Sequence, residues 1–593
     1  MSPDMRLHDY LDAEGNIEIP AGVTLTSFLD RHAEQRADAP AYRYLDFDHD
    51  RTVELTWSAF RTRLRAVGTR LQQVTQPGDR IAILAPQGVD YVVGFFAAIQ
   101  AGAIAVPLFA PELPGHTDRL HAVLADARPT VVLTTTAAAE PVREFLRTVP
   151  RPQRPRIIAV DAVPDAVGRD FVPAPVATDD IAYLQYTSGS TRTPAGVEIT
   201  HRGACTNVVQ MIESVGLDWD TRSVSWLPLF HDMGLLMIMF PALLGAHITL
   251  MSPVSFVRRP YRWIRELGAS DKPTFAAAPN FAFDLAAQRG LPPAGEALDL
   301  SNVAGLINGS EPVSMASIET FTSAFAPYGL NPAAIKPSYG MAEATLFVST
   351  TEPGSSPTAV HMDREALSRG QVVRVGADDP NAVVGVSCGH IARSQWAVIV
   401  DAQTECELPD GRVGEIWLHG DNIGRGYWGR TDETELTFHN KLQSRLTQGS
   451  HAEGAAESAL WLRTGDLGVY LDGQLFITGR VKDLVIVDGR NHYPQDIEAT
   501  VSEASAAVRS GFVAAFSVPG VGREEVVIVA ERAPGAGRAE AAPITEAIRA
   551  AVSRRHAIPL ADVKLVAAGA IPRTTSGKLA RSACRARYLE GGI

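Results

Sequence analysis

The sequence predicts an α/β fold with two domains, a large N-terminal one and a small C-terminal α+β one. Its 593 residues are too many for a single hydrophobic core. Helix and strand patterns alternate through the first 165 residues, as they do in folds built on parallel sheets. A compact mixture of strands and helices begins after Lys482, so we place the boundary between domains 1–482 and 483–593.

The elements of the N-terminal part are predicted from hydrophobic periodicity. In the run 56–74, apolar residues recur at steps of three and four, which is typical of one face of a helix. Short apolar runs between further helical patterns indicate strands. In chain order, the predicted elements are helix 56–74, strand 80–84, helix 91–100, strand 104–108, helix 118–126, strand 130–134 and strand 156–160.

Beyond residue 385 the predicted strands are short, and one polar excursion interrupts them. Residues 441–458 are rich in Gly, Ala, Ser and Glu, which indicates a loop on the surface. Periodic patterns then resume and continue almost to the end of the chain. The predicted elements are strands 396–400, 414–419, 476–478 and 484–487, helix 494–505, strands 511–517 and 525–530, and helix 544–555.

Composition argues against several functional classes. The formal net charge of −13 argues against nonspecific nucleic-acid binding, which requires a basic surface. The four cysteines are far apart and show no CxxC spacing, so we predict neither a disulfide framework nor a common zinc site. The first residues lack the pattern of a signal peptide, and we expect a cytoplasmic protein.

The apolar stretch Gly234–Met251 is long enough to require a test against a membrane-spanning helix. Pro241 interrupts it, His247 lies inside it, and Gly245 is typical of a helix end. We therefore predict a buried helix followed by a core strand that begins near Ile248, and no transmembrane segment.

A turn rich in Ser, Thr and Gly follows the apolar run 181–184. Such a turn can direct backbone N–H groups and hydroxyls towards phosphate oxygens, because glycine permits the required dihedrals. The alternative is a flexible polar loop, since loops commonly have this composition. The turn is not a Walker loop, because the sequence contains no GxxxxGK[ST] pattern. Its residues are Thr187, Ser188, Gly189, Ser190 and Thr191.

A histidine lies where a strand-like run joins the apolar stretch described above. His231 could polarise a substrate carboxylate, and the alternative is a buried structural histidine. The methionines that follow it, Met233 and Met237, could line an acyl tunnel, although methionine also fills ordinary cores.

Two tight polar turns follow extended segments further along the chain. A tyrosine ring beside a glycine can stack on a purine, and a nearby carboxylate such as Glu343 can hold Mg²⁺ against triphosphate oxygens. For either turn alone, an unrelated structural turn is the alternative. The first comprises Gly309, Ser310, Glu311 and Pro312, and the second comprises Ser338, Tyr339, Gly340, Met341 and Ala342.

Three charged residues later in the chain complete the set of candidates. Asp466 lies on a glycine turn, where it could accept hydrogen bonds from two ribose hydroxyls. Arg480 offers a guanidinium group to phosphate or ribose. Lys578 lies on a loop rich in Ser and Gly; a lysine there is ordinarily just solvated, so it gains interest only together with the other candidates.

One glycine pattern is not interpreted as a nucleotide site. Gly424–Gly429 matches GxGxxG after a strand, but Tyr427 and Trp428 would crowd a pyrophosphate. We also expect no clean helix to follow it. A dinucleotide site is therefore not predicted here.

Together and in this order, the segments resemble the adenylate-forming superfamily of acyl-CoA synthetases, peptide-synthetase adenylation domains and luciferases. The resemblance runs from Leu25 to Leu589. The phrases LQYTSGSTRTPAGV, WLPLFHDMGL, PSYGMAEATLFVS and DGRNHYPQDIE are most similar to fatty acyl-AMP ligases. The phrases INGSEPVS and AFAPYGL resemble the long-chain ligases of actinobacteria that produce mycolic acids.

The resemblance implies an adenylate-forming fold, with stacked sheets and helices in the large domain and a mobile lid hinged at Lys482 and Asp483. It implies that ATP, with Mg²⁺, activates a long-chain fatty acid as acyl-AMP and releases pyrophosphate. The acyl group would then pass to the phosphopantetheine thiol of an acyl carrier protein or of a carrier domain in a polyketide synthase, for lipid and mycolic acid biosynthesis.

The resemblance also implies a role for each candidate residue. Thr187–Thr191 would bind the triphosphate, and the turns Gly309–Pro312 and Ser338–Ala342 would bind adenine. Asp466 would bind the ribose, and Arg480 would contact phosphate or ribose. The catalytic residues would be Lys578, which bridges the substrate carboxylate and the α-phosphate, His231, and Glu343 as the Mg²⁺ ligand. The acyl pocket would comprise Trp226, Met233, Met237, Asn280 and Phe281.

Two positions depart from the wider superfamily. Ala195 stands where many acyl-CoA synthetases carry lysine, and Ala342 stands where threonine is frequent. A phosphate contact from either position is therefore in doubt.

Several alternative functions share part of this pattern. A long-chain fatty acyl-CoA ligase would end with CoA, but the passage 350–389 resembles an insertion that marks fatty acyl-AMP ligases and restrains the lid. An amino-acid adenylation domain would need a carboxylate in its pocket, whereas 275–281 is apolar. A non-catalytic scaffold would not need Lys578, Asp466 and Glu343 together.

Four arginines form a basic cluster that has two interpretations. They are either a solvated helix face or a docking site for an acidic carrier protein. The four are Arg258, Arg259, Arg262 and Arg265.

Overall fold

Two mainly parallel sheets form most of the N-terminal part. The computed structural model describes residues 7–111, 117–187, 194–218, 220–487, 490–520, 524–536, 541–574 and 577–593. The first sheet is parallel except for its last pair, which forms an antiparallel hairpin. Its strands, in spatial order, are Arg156–Ala159, Val131–Thr134, Arg80–Ile83, Ile104–Pro107, Ile181–Tyr186 and Gly196–Thr200.

The second sheet is larger and has antiparallel strands only towards its edges. Its central strands run parallel to one another, as expected for runs that are buried on both faces. In spatial order its strands are His390–Ile391, Phe347–Thr350, Ile335–Gly340, Val303–Gly309, Thr274–Pro279, Arg222–Ser225, Ile248–Met251, Pro40–Asp46 and Arg51–Thr56.

Two antiparallel units lie between the large sheets and the C-terminal part of the chain. The four-stranded sheet carries candidate residues on its last two strands. The other unit is a hairpin within the passage 350–389. The four strands are Gln395–Val400, Gly414–Gly420, Leu462–Leu471 and Gln474–Arg480, and those of the hairpin are Ala359–Asp363 and Ala382–Val386.

The C-terminal part has its own small sheet and its own cores. A three-stranded sheet combines an antiparallel pair with a parallel one, and two hydrophobic clusters cover its faces. The strands are Val508–Pro519, Glu524–Arg532 and Leu560–Val566, and a separate pair is formed by Val485–Val487 and Arg490–His492.

Helices cover the sheets, and one hydrophobic cluster contains residues of both large sheets together with several helices between them. The two large sheets therefore share a core. The α-helices are Leu29–Gln35, Trp57–Gln72, Val89–Gln100, Thr117–Ala127, Ala139–Arg147, His201–Val215, Asp232–Leu244, Pro253–Arg258, Tyr261–Leu267, Asn280–Arg289, Met315–Phe325, Arg364–Ser368, Thr431–Phe438, Pro494–Ala504, Ala541–His556 and Arg581–Leu589.

The predicted periodic elements are present, with ends that shift by a few residues. The first predicted helix begins after Thr56, whose hydroxyl accepts a hydrogen bond from the N–H of Ala59. The apolar stretch forms a buried helix that ends at Gly245 (φ 72°), followed by the strand from Ile248. Pro241 lies inside that helix rather than ending it. Among the described residues, every helix is too short or too polar to cross a bilayer.

One expectation from the sequence was wrong, and another was incomplete. Residues 441–458 form the predicted surface excursion, but Ala452 and Ala455 within it are buried against Trp417 and Trp461 on one face of the four-stranded sheet. Small alanine side chains allow that close packing, which composition alone does not reveal. A helix does follow the GxGxxG pattern, at Thr431–Phe438, and acidic residues in its first turn favour it.

Candidate active site

The candidate residues meet where parallel strands end. Pro279 pairs with Gly309, and Asn308 pairs with Pro337, so three neighbouring strands of the large sheet finish at one edge. Ligands in α/β folds bind at such carboxyl ends. A cleft of about 390 Å³ opens there, lined by Met211, Met233, Met237, Ala277, Ile307, Gly309, Ser310, Ser338, Tyr339, Gly340, Leu346 and Phe347.

Close backbone contacts shape the floor of this cleft. A Cβ atom on Gly340 would lie 2.1 Å from the carbonyl oxygen of Leu346, so only glycine fits. Ser310 adopts a left-handed backbone conformation with φ 69°. The hydroxyl of Ser338 donates to the carbonyl oxygen of Lys336 at 2.9 Å and therefore stabilises the turn itself.

The turn after Gly309 is tied to a neighbouring helix. The Glu311 carboxylate accepts the N–H of Phe281, at the start of that helix, at 2.7 Å. Burial raises the pKa of Glu311. Pro312 follows on the exposed side of the turn, and the N–H of Met341 in the second turn donates to the carbonyl oxygen of Leu346.

Tyr339, Asp466 and Arg480 form one network at the cleft. The Tyr339 hydroxyl donates to Oδ2 of Asp466 at 2.8 Å, and Nε of Arg480 lies 2.9 Å from Oδ1. Asp466 and Arg480 face each other across paired antiparallel strands. The Asp466 carboxylate raises the pKa of Arg480. The network connects the turn of the large sheet that carries Tyr339 to the four-stranded sheet.

Glu343 is a half-buried carboxylate on a short 3₁₀ turn that begins at the buried Ala342. Burial raises the pKa of Glu343, and a hydrogen bond of 2.9 Å from the Tyr427 hydroxyl lowers it. Tyr427 belongs to the GxGxxG segment, where Gly424 also donates its N–H to the Glu343 carbonyl oxygen at 2.8 Å. That segment therefore contributes to the site, although not as a dinucleotide loop.

Lys578 comes from the C-terminal part and is half-buried. Burial lowers its pKa, while the carboxylates of Asp232, Glu311 and Asp466 raise it and Arg480 lowers it. These neighbours belong to the N-terminal part, so the lysine lies on the side of its domain that faces the cleft. Its surroundings are rich in anions before any substrate is present.

A second, small pocket is lined by His231, by Arg119 and by Tyr186, the residue before Thr187. The His231 ring centroid is 4.5 Å from that of Phe230. The Thr187 N–H donates to the carbonyl oxygen of Ala195, and its own carbonyl oxygen accepts from Arg119 at 2.6 Å. The remaining residues assigned to the triphosphate lie outside the described part of the chain: Ser188, Gly189, Ser190 and Thr191.

The residues assigned to the acyl pocket fall into two groups. Met233 and Met237 line the cleft directly. Trp226 is buried, stacks on Phe256 with ring centroids 4.1 Å apart, and meets Phe281 edge to face at 6.1 Å.

Asn280 has a different environment from the other pocket candidates. Its amide accepts from Asn308 and from the N–H of Ser314, and donates to Ser317. It therefore braces the turn that carries Gly309, Ser310 and Glu311.

Comparisons with known proteins agree with this arrangement. Residues 29–428 match the family described as AMP-binding enzyme, and 482–593 match the AMP domain of Disco-interacting protein 2-like proteins. The chain is 54% identical to the long-chain-fatty-acid--AMP ligase FadD32 of Mycolicibacterium smegmatis, over 99% of this chain and 98% of that protein. It belongs to the fatty acyl-AMP ligases of the AMP-binding enzyme family. Enzymes of this family use ATP.

Two solved structures carry the same fold. One comes from a study of fatty acyl-adenylate ligases from E. coli and L. pneumophila; it is 29% identical, has a TM-score of 0.83, and the match covers 96% of this chain and 98% of that one. The other is the ligase from L. pneumophila in complex with acyl adenylate and pyrophosphate. It is 29% identical with a TM-score of 0.72, and the match covers 96% of both chains.

In this fatty acyl-AMP ligase, the passage 350–389 contacts the C-terminal part. Arg364, from its helix, forms an ion pair with Asp496, and both side chains are largely buried. The Tyr493 hydroxyl lies 3.5 Å from the carbonyl oxygen of Leu367. Polar and aromatic contacts therefore join the hairpin unit of 350–389 to the first helix of the C-terminal part.

The predicted hinge residues form a single 3₁₀ turn. Lys482 and Asp483 close the turn that follows the strand ending at Arg480. Asp483 is held by Arg581, whose guanidinium also contacts both oxygens of Glu498 at 2.7 Å. These carboxylates raise the pKa of Arg581 despite its burial.

Sequence reasoning missed three residues of the ligase site. Tyr427 was considered only as an obstacle in a glycine pattern, and Asp232 was passed over beside His231. Arg119 lies in a helix that gave no indication of function. For Asp232 the acidic residue at the start of an apolar helix was visible in the sequence, whereas Tyr427 and Arg119 depend on contacts between distant segments.

Proposed function

We propose that this ligase joins a long-chain fatty acid to AMP and then transfers the acyl group to the phosphopantetheine thiol of a carrier. The meeting of Tyr339, Asp466, Arg480 and Lys578 at a cleft with an apolar wall carries the proposal. The names of the similar proteins, a long-chain-fatty-acid--AMP ligase and a ligase with bound acyl adenylate and pyrophosphate, support this substrate class.

In this proposal each polar group meets one part of ATP. The Tyr339 ring stacks on adenine, with Gly309 and Gly340 allowing close approach of the backbone. Asp466 accepts hydrogen bonds from the ribose hydroxyls, and Nε of Arg480, 2.9 Å from Oδ1, holds its carboxylate in place. Thr187 begins the loop that binds the triphosphate. Arg119, on the carbonyl of Thr187, adds positive charge at the same end.

The residues present also fit a magnesium ion. Glu343 offers a half-buried carboxylate oriented by the Tyr427 hydroxyl. Mg²⁺ is commonly held by one or two carboxylates together with substrate phosphates, so a single carboxylate suffices beside ATP. The ion would neutralise charge on the phosphates, and Glu343 would hold it.

The first reaction must bring a carboxylate to an anionic phosphate. A carboxylate oxygen forms a bond to the α-phosphorus, and the bond from that phosphorus to the bridging oxygen of pyrophosphate breaks. The Lys578 ammonium offsets the repulsion between the two anions, in a site from which the lid excludes water. His231 stands at the junction between the phosphate end and the acyl pocket, where it orients the incoming carboxylate.

The second reaction exchanges AMP for a thiol. The thiolate sulfur attacks the acyl carbonyl, the bond from carbonyl carbon to the AMP oxygen breaks, and the thiol proton passes to solvent. We propose a carrier protein or polyketide-synthase carrier domain as the thiol source. The inserted unit, bound to the C-terminal part through Arg364 and Asp496, supports this choice over free CoA.

We also propose a place in mycolic acid biosynthesis and a cytoplasmic location. The 54% identity to FadD32 supports the pathway. The four cysteines are free thiols, and three of them are buried, which fits a reducing compartment. Domains 1–482 and 483–593 would act as body and lid, with Lys482 and Asp483 as the hinge.

Product analysis tests the proposed function. The purified protein is incubated with ATP, Mg²⁺ and palmitic acid in three parallel reactions. The first contains CoA, the second contains a phosphopantetheinylated carrier, and the third contains neither thiol. We expect acyl-AMP without a thiol, acyl carrier with the carrier protein, and no acyl-CoA. Formation of acyl-CoA would favour the CoA ligase alternative. Absence of pyrophosphate–ATP exchange with any medium or long fatty acid would refute acyl adenylation.

A further inference from the structure

The loop that carries Lys578 is short and closed by its own hydrogen bonds. Thr574 donates its N–H to the carbonyl oxygen of Lys578 at 2.8 Å, and the Thr574 hydroxyl accepts the N–H of Lys578 at 3.1 Å. Arg573 and Leu579 pair as an antiparallel bridge across the base. The backbone on either side of the lysine is thus well defined, although its side chain must reach into another domain.

The weak point of this loop is Gly577. Its φ of 82° lies in the left-handed region, and a Cβ at this position would contact nothing within 4 Å. Glycine moves freely among backbone conformations. Rotation at Gly577 would redirect Lys578, because the two residues are adjacent. The N–H of Gly577 donates to the carbonyl oxygen of Thr574 at 2.9 Å. Its carbonyl group also needs a partner if the ammonium group is to be aimed at one point.

Arg573 supplies that restraint. One terminal nitrogen of its guanidinium donates to the carbonyl oxygen of Gly577 at 2.6 Å, and the other donates to the carbonyl oxygen of Gly511 at 2.6 Å. The forked guanidinium can bridge two carbonyl groups with fixed geometry, which a lysine ammonium cannot match. The bridge connects the lysine loop to a strand of the small sheet.

The guanidinium of Arg573 is itself held in position. It lies over the ring of Phe512, 3.9 Å from the centroid, and Arg509 lies over the same ring at 3.5 Å. Arg509 is anchored by Glu531 at 2.8 Å, a carboxylate with no exposed surface.

The other oxygen of Glu531 accepts the N–H groups of Gly569 and Ile571, at 2.8 and 3.2 Å. Those residues lead directly into the lysine loop. The buried carboxylate of Glu531 therefore fixes the start of the lysine loop. Through Arg509 and Phe512 it also holds Arg573, which restrains the loop at Gly577.

We propose that Arg573 is a positioning residue for adenylation, which aims Lys578 by holding the carbonyl group of Gly577. The inference rests on the proposed role of Lys578 in acyl-AMP formation. Arg573 need not touch the substrates. Its removal should therefore affect only the step that uses Lys578, and should have no effect once Lys578 itself is gone.

Kinetics of the separate half-reactions test this inference. We expect Arg573→Gln to slow palmitate-dependent pyrophosphate–ATP exchange by roughly 10- to 100-fold, the size of effect that a small misplacement of a reacting group produces. Arg573→Lys should restore little, because one ammonium cannot bridge both carbonyls. Transfer from supplied acyl-AMP to a carrier should be unchanged. The matched control is Arg585→Gln, since Arg585 also donates to a backbone carbonyl, that of Ser517 at 2.7 Å, away from the loop.

A double variant separates positioning from other roles. Lys578→Ala with Arg573→Gln should be no slower than Lys578→Ala alone. If the second change slows the reaction by the same factor in both backgrounds, Arg573 acts on the substrates directly and the inference is wrong. An equal loss in the transfer reaction would show a general structural role and would also overturn it.

Hydrogen exchange tests the same inference without catalysis. In Arg573→Gln, amide exchange in the peptide that contains Gly577 and Lys578 should become several-fold faster, and in Arg585→Gln it should not change. Unchanged amide exchange in Arg573→Gln would show that Arg573 does not restrain Gly577, and this result would hold even if the protein adenylates no fatty acid. Failure of wild-type adenylation would instead refute the proposed function.

Discussion

Removing the Tyr339 hydroxyl should weaken ATP use while leaving in place the ring that we propose to stack on adenine. In the substitution Tyr339→Phe, Asp466 loses a hydrogen bond of 2.8 Å and keeps Arg480 at 2.9 Å. Asp466 is 4% exposed, so water cannot readily replace the lost donor. The carboxylate is then held from one side only, and its orientation towards the ribose is less well defined.

The size of this effect follows from the partners that remain. A hydrogen bond to a charged group contributes about 1.5–3 kcal/mol. The lower end applies, because Arg480 still neutralises Asp466. Since about 1.4 kcal/mol corresponds to a tenfold change in a rate or equilibrium constant, the loss of about 1.5 kcal/mol should lower kcat/KM for ATP about tenfold. The folding stability of the domain should change less, since the ring stays packed.

Pyrophosphate exchange at varied ATP, with saturating fatty acid, measures the effect of Tyr339→Phe. The same assay with 2′-deoxy-ATP reports how well the ribose is recognised, and the preference for ATP should shrink in the variant. Tyr470→Phe is the matched control, because its hydroxyl donates to a backbone carbonyl on the same sheet, at 2.9 Å from Ala397, away from the cleft. Unchanged kcat/KM and unchanged preference in a folded variant would refute the role assigned to the Tyr339–Asp466 contact.

Three further predictions concern the rest of the site. Lys578→Ala should slow adenylation by roughly 100-fold or more, because it removes one preorganised charge-stabilising group. A single-turnover assay of acyl-AMP formation measures the rate, and an unchanged rate would remove Lys578 from the mechanism. Tyr427→Phe removes a hydrogen bond that lowers the pKa of Glu343, so the pKa of Glu343 should rise. The acidic limb of the plot of kcat/KM against pH should then move to higher pH. An acidic limb that stays in place would contradict the role of this contact. Arg364→Met removes the ion pair to Asp496, and tryptic cleavage next to the hinge should become several-fold faster; equal cleavage would show that this pair does not hold the lid.

Local sequence patterns predicted much of the fold. The helix Trp57–Gln72 and the buried helix Asp232–Leu244 were predictable because each is determined by its own periodicity, cap or stop residue. The packing of Ala452 and Ala455 against Trp417 was not, because a Gly- and Ala-rich run looks like an exposed loop until its tertiary partner is known. Such packing depends on a strand some thirty-five residues away along the chain, not on the run itself.

The site was predictable to the extent that its residues lie in recognisable turns. Tyr339, Asp466 and Lys578 each belong to such a segment, and order along the chain linked them. The contact between Glu343 and Tyr427 spans 84 residues and has no local pattern. Asp232 was visible as an acidic residue at the start of an apolar helix, but its relation to Lys578 arises only when the C-terminal part lies over the body.

The surroundings of Lys578 oppose the effect of burial on its pKa. Removal from water lowers the pKa of an ammonium group, and a lysine buried alone would lose its proton and its catalytic charge. Here Asp232, Glu311 and Asp466 raise the pKa again, each from a different segment of the body. Since these carboxylates act only when the C-terminal part faces the cleft, they oppose loss of the ammonium proton in the arrangement in which we propose that Lys578 acts and water is excluded. An enzyme that rotates this part away for thiol transfer would expose the lysine to solvent, where its charge is screened and no longer acts on the acyl phosphate.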